Sequence, residues 1–215
     1  KTGKRVQHAL DYKRSREQPP RQTLAKVAPG RGDDTLTFLR CAPGARAAKQ
    51  VTVDATTVTP DPSTWSFTVQ DYDCGAVFVG LVEVEISNVH ELAFWVQHAA
   101  QDPRTLLIRG SALPDAMPPL LRRGEGAHEH STFRDVPRRW AMIDMDDKAK
   151  FDRHFDLSAD PETAVRGAMS QLPLFLRRAT CVWQLSGTAW LRGVRMHLFF
   201  WFDRPVSNQE LSLAL

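Results

Sequence analysis

The sequence predicts an α/β fold on three observations. Short β-branched, apolar stretches recur from Thr35 to Phe202, and capped helical patterns fall between them. A hydrophobic content of 42% is enough for a core and too high for a disordered chain. A run of about 18 apolar residues, which a membrane-crossing helix needs, is missing from all 215 residues.

Residues 1–33 read as a basic arm or leader. From Lys1 to Arg31, Lys1, Lys4, Arg5, Lys13, Arg14, Arg16, Arg21, Lys26 and Arg31 stand against only Asp11 and Glu17. Such a segment grips phosphates or is simply a solvated leader. Thr35 to Leu39 alternates as a strand, Val51–Val53 is a second, and Thr56 to Thr64 is a loop. Val77 to Ile86 reads as one long strand. Asn88 with Glu91 three residues on marks a helix start, and Leu92, Trp95, Val96 and Ala99 keep helical spacing until Asp102-Pro103. Thr105–Ile108 is a buried strand closed by Arg109-Gly110, which makes strand–helix–strand.

Pro114 to Phe133 is a polar loop. Trp140 to Met145 is a strand of buried character through Ile143. Asp160 caps a helix with Pro161 in its first turn, Val165, Met169 and Leu172 on its apolar stripe, and Pro173 at its end. Cys181–Leu185 is a strand with the turn Ser186-Gly187-Thr188 behind it. A long apolar strand runs from Arg195 to Phe202 and breaks at Asp203-Arg204-Pro205. Ser207 and Glu210 form a capping box for a last helix of about two turns. The expected division is 34–135 and 136–215.

Cys41, Cys74 and Cys181 are widely spaced and odd in number. They read as buried thiols in a reducing, cytoplasmic setting, with neither a disulfide framework nor a zinc site. His128 and His130 lack partners at zinc spacing. The formal net charge of +3 is weak support for a polyanionic partner.

The chemistry centres on Asp144 and Asp146. Residues i and i+2 of a strand project to one side with Cα atoms roughly 6.5–7 Å apart. Two carboxylates therefore emerge together where an apolar strand ends, and hard oxygen donors suit Mg²⁺ or Mn²⁺. A lone Asp-x-Asp is equally an acidic strand end in water. By the same period Arg195 and His197 share a face and could present two donors to a phosphate, although a histidine among apolar residues is often a core residue. Ser186 and Thr188 carry hydroxyls at a turn able to cradle phosphate oxygens, a feature shared by many ordinary hairpins. Arg109, and Arg122-Arg123 in the next loop, add positive charge or simply form surface ion pairs. Asp203 lies six residues past His197, roughly 20 Å along one strand, too far to join it.

The order of these features resembles the archaeo-eukaryotic primase superfamily, in the form found in plasmids, phages and integrative elements. Its first motif, hydrophobic-Asp-hydrophobic-Asp/Glu, is matched by Ile143-Asp144-Met145-Asp146. Its second, small-x-His, is matched in part by Arg195-Met196-His197, with Arg195 in the place of the small residue. The resemblance spans about Val77 to Glu210. It implies an N-terminal α/β lobe packed on an RRM-like lobe with a mixed or antiparallel sheet, and a catalytic cleft between them. It implies a DNA primase or primase-polymerase activity: metal-dependent, template-directed nucleotidyl transfer for replication of a mobile element.

In that reading Asp144 and Asp146 bind Mg²⁺ or Mn²⁺, and His197 contacts the nucleoside triphosphate. Arg109, Ser186, Thr188 and Arg195 help to hold that triphosphate. The partners are a single-stranded DNA template and primer, with a replicative helicase as a further candidate and no membrane. The third motif, a hydrophobic residue and a carboxylate, is expected beyond Leu215. Two other readings remain open on the residues: a non-catalytic nucleic-acid-binding module, and a metal-dependent nucleotide-sugar transferase or phosphohydrolase using Asp-x-Asp.

Overall fold

The computed structural model describes residues 34–59, 64–73, 77–121, 131–146, 160–189 and 194–215. The basic arm at 1–33, Cys74, Arg122, Arg123, His128 and His130 lie outside them. In chain order the strands of the first part are β1 (Asp34–Arg40), β2 (Gln50–Val53), β3 (Phe67–Gln70), β4 (Val77–Phe78) and β5 (Gly80–Ile86). Helix α1 (Val89–Ala99) follows, then β6 (Thr105–Ile108), β7 (Ser111–Ala112), β8 (Leu120–Leu121) and β9 (Phe133–Arg134). The second part holds β10 (Arg138–Met145), α2 (Pro161–Ser170), α3 (Leu174–Arg177), β11 (Cys181–Leu185), β12 (Met196–Val206) and α4 (Asn208–Ala214). The result is a mixed α/β chain with several small antiparallel sheets and few helices among the described residues.

Two three-stranded sheets dominate, ordered β5-β1-β6 and β10-β12-β11. Both neighbours of β1 run antiparallel to it. Strands β5 and β6 are therefore parallel to each other, and α1 is the crossover between them with β1 inserted: a split β-α-β unit. The stretch read as one strand from Val77 to Ile86 is two, because β4 pairs with β8 while β5 pairs with β1. Gly80 sits at the joint, and a Cβ there would lie 3.1 Å from the Cβ of Arg40, its partner across the sheet.

Asn88 starts α1 by accepting hydrogen bonds from the backbone of His90 and Glu91, while Glu91 reaches back to the Ser87 N–H at 2.7 Å. Asn88→Ala should cost about 1 kcal/mol, read as a lower denaturant midpoint with an unchanged slope.

Among the described residues, three cores follow from strand alternation. Met196, Leu198 and Phe200 point to one side of β12, where α2 and α3 cover them with Ala164, Val165, Ala168 and Leu176. Phe199 points to the other side, with Trp140, and meets Leu36, Phe38, Val84 and Ile86 of the first sheet and Leu92 and Val96 of α1. The far face of the first sheet packs Leu39, Phe78, Ile108 and Leu120.

Several expectations need correction. Strand β12 does not break at Asp203-Arg204-Pro205 but runs on to Val206. The register with β10 shifts between Trp140, opposite Trp201, and Arg138, opposite Val206, so the extra residues bulge out and Pro205 is tolerated. Strand β3, hydrogen-bonded to β2, was not expected, nor was the single turn of α3 behind Pro173. Cys41, read as a buried thiol, is fully buried but disulfide-bonded. The reducing setting inferred from the cysteines loses that support. Cys181 is a free thiol, and burial pushes its pKa up. No helix among the described residues is long and apolar enough to cross a membrane.

Candidate functional site

Antiparallel pairing decides which side chains meet, because directly opposed residues share a face. Asp144 of β10 is opposite His197 of β12, and His197 is opposite Gln184 of β11. One step toward the apolar end, Met142 is opposite Phe199, and Phe199 is opposite Val182. In the other direction the strands run out at Met145 and Met196, and Asp146 and Arg195 meet just beyond them. One face of this sheet is thus apolar and covered by α1 at one end. At the other it carries two carboxylates, an imidazole, a guanidinium and a carboxamide.

The contacts divide the two carboxylates. His197 Nε2 lies 3.5 Å from Asp144 Oδ1, with the His197 side chain 34% and the Asp144 side chain 52% exposed. That separation is an approach rather than a tight bond, and the His197 ring is braced edge-on against Phe199. Asp146 is held closely. Arg195 donates from both Nε (2.9 Å) and Nη2 (2.6 Å) to its Oδ1. The Arg195 side chain is only 13% exposed, while that of Asp146 is 56% exposed.

The turn after β11 also reaches this end. The Ser186 N–H donates to the Arg195 carbonyl at 2.9 Å, extending the ladder by one pair and placing Ser186 beside Arg195. Thr188 is a correction: it is buried, with its hydroxyl 3.4 Å from that of Ser186. The neighbouring Ala189 belongs to the core beneath, which draws Thr188 inward rather than leaving it open to a phosphate.

Arg109 is not brought to the pair. Its Nε donates to the Trp140 carbonyl at 2.8 Å, and its other nitrogens bond the Val206 and Arg138 carbonyls and the Asn208 side chain. Trp140 is four residues from Asp144 on the same strand, roughly 13 Å away. Burial pushes the Arg109 pKa down, opposed by Asp135 and Asp34. Arg109 therefore ties the end of β6 to β10 and β12, a role its buried carbonyl partners explain. Asp203 is also remote, its carbonyl taking a hydrogen bond from Arg139.

Two residues join the site that motif reading passed over. Gln184 flanks His197 on the side away from Asp144. Counting back two from Ser186 along a strand would have found it. Met142, expected to be buried, is 45% exposed, because the site face opens there between the α1-covered core and Asp144.

The donor set bears on the metal. Two carboxylates on one face offer the hard oxygens that Mg²⁺ or Mn²⁺ prefers, with room for water and phosphate oxygens. Among the described residues, no three His, Cys, Asp or Glu side chains are grouped to hold an ion, and one oxygen of Asp146 is already engaged by Arg195. The pair fits a cation shared with a substrate better than a closed protein cage. No family model, curated protein or solved structure matches this chain.

Proposed function

We propose that this chain is a metal-dependent nucleotidyltransferase of the primase-polymerase type, acting on nucleoside triphosphates with a single-stranded DNA template and primer. One observation carries the reading: the carboxylates Asp144 and Asp146 stand opposite His197 and Arg195, side chains whose N–H groups suit phosphate, pair against pair, on one sheet face. A triphosphate needs cations and N–H donors beside the carboxylates that hold its counter-ion, and these two rows supply both. In this reading residues 136–215 form the RRM-like lobe, residues 34–135 form the lobe that supports it, and the cleft lies over that face.

Asp144 and Asp146 would hold Mg²⁺ or Mn²⁺, which supplies neutralisation of the triphosphate and of the departing pyrophosphate. His197 donates a hydrogen bond to a phosphate oxygen. Arg195 offers its planar fork to another, a geometry that matches phosphate in two-point contact. Ser186, beside Arg195, adds a hydroxyl donor. Gln184 can orient the nucleotide from the far side of His197. Phe199 and the α1-covered core make one wall apolar, which strengthens these charge interactions.

The test is incorporation of labelled nucleotides on a primed single-stranded template with Mg²⁺ or Mn²⁺. Incorporation that requires both the template and the metal supports the reading. Turnover of a nucleotide sugar without a template would overturn it, as would template binding with no turnover at any metal concentration. His197→Ala should weaken nucleotide binding about tenfold, the worth of a hydrogen bond to a charged group, and leave Mn²⁺ binding to the free protein largely unchanged. Calorimetric titration of each ligand separates the two effects.

A further inference from the structure

The two carboxylates are not equivalent, and the difference lies in Arg195. Asp144 faces an imidazole 3.5 Å away. Asp146 receives two guanidinium N–H groups on one oxygen, at 2.9 and 2.6 Å, from a side chain that is almost enclosed. Charge-assisted contacts of this length are strong, and they cancel the charge a cation would seek. The same fork also suits phosphate. Arg195 sits one same-face step from His197, so a phosphate chain lying along this face passes both.

We infer that Arg195 is a phosphate-operated latch: it holds Asp146 in the nucleotide-free site and moves to the incoming triphosphate, releasing Asp146 to the divalent cation. This rests on reading the face as a nucleotide site. It adds an order of events. Metal alone meets one ready carboxylate, Asp144, and a second that is occupied. A triphosphate arriving with its metal draws off the guanidinium and presents the cation to both carboxylates together. Nucleotide and metal then bind cooperatively, and the free protein takes up metal weakly.

The experiment is a double-mutant cycle on the whole chain. Mn²⁺ binding without nucleotide is measured for the unmodified protein, Arg195→Gln, Asp146→Asn and the double variant. Arg195→Gln should tighten Mn²⁺ binding about tenfold or more, the worth of hydrogen bonds to a charged group. Asp146→Asn should weaken Mn²⁺ binding much less in the unmodified background than in the Arg195→Gln background, where it abolishes the gain. In a second arm, inorganic tripolyphosphate is titrated in the presence of a chelator. Asp146→Asn should tighten its binding by removing the Asp146 carboxylate that competes with phosphate for Arg195, and should not do so when Arg195 is Gln.

If Asp146→Asn weakens Mn²⁺ binding equally in both backgrounds, Asp146 is not latched and the inference falls while the metal site stands. If none of the four proteins binds Mn²⁺, the inference and the metal-site reading fall together. Should Arg195→Gln not fold, the Asp146→Asn tripolyphosphate measurement decides alone: no gain in affinity overturns the latch.

Discussion

If the chain is the nucleotidyltransferase proposed above, Asp144→Asn should lower template-dependent nucleotide incorporation about 10²–10³-fold, the cost typical of removing one preorganised charge-stabilising group. The substitution keeps the shape of the side chain and removes its charge. Asp144 is half-exposed, and its contact with His197 is long, so little of the fold depends on it. The unfolding free energy should therefore stay within about 0.5 kcal/mol of the unmodified value. A loss of rate without a loss of stability is the signature of a residue that works on the substrate. The pairing of rate assay and thermal melt reads it directly. A rate reduction smaller than about tenfold, worth about 1.4 kcal/mol, would remove Asp144 from the reacting centre.

Asp34→Ala should destabilise the fold by about 3–5 kcal/mol, because it leaves the Arg138 guanidinium charged and unpaired inside the protein. The pair is 3.1 Å apart, with the Asp34 and Arg138 side chains only 6% and 8% exposed. Asp34 also accepts the Arg139 N–H, and Arg138 reaches the carbonyls of Arg109 and Gly110. The first residue of β1 and the first of β10 are thereby joined at a point that also anchors the end of β6. For a chain of this size each kcal/mol moves the melting temperature by roughly 2–4 °C, so the expected fall is roughly 6–20 °C. Replacing both partners with apolar residues of similar volume should recover much of it, since the cost lies in the orphaned charge. A fall smaller than about 2 °C would mean that water screens the pair as it does at a surface.

How much of this was legible beforehand depended on the range of the interactions. The helix starts at Asn88, Asp160 and Ser207 were legible because a cap is a local device, complete within four residues. The shared face of Asp144 and Asp146, and that of Arg195 and His197, followed from strand periodicity alone. Their confrontation did not, since it depends on the register between strands some 50 residues apart, as the separation of 49 between Asp146 and Arg195 shows. The fate of Arg109 was hidden for the same reason: its partners are carbonyls 31 and 97 residues away. Two-residue strands such as β4 and β7 carry no period to detect. The continuation of β12 past Pro205 was masked because a bulge is a property of two strands together.

The alternation of β12 has one more consequence, for folding fidelity. Shifting this strand by a single residue against β10 would turn Met196 and Leu198 out to water and drive His197 and Arg195 into the core against α2 and α3. A mispaired chain would lose its apolar packing and its polar face in the same movement. The hydrophobic effect therefore keeps His197 and Arg195 on the same face as Asp144 and Asp146, because the burial of Met196, Leu198 and Phe200 on the opposite face requires it.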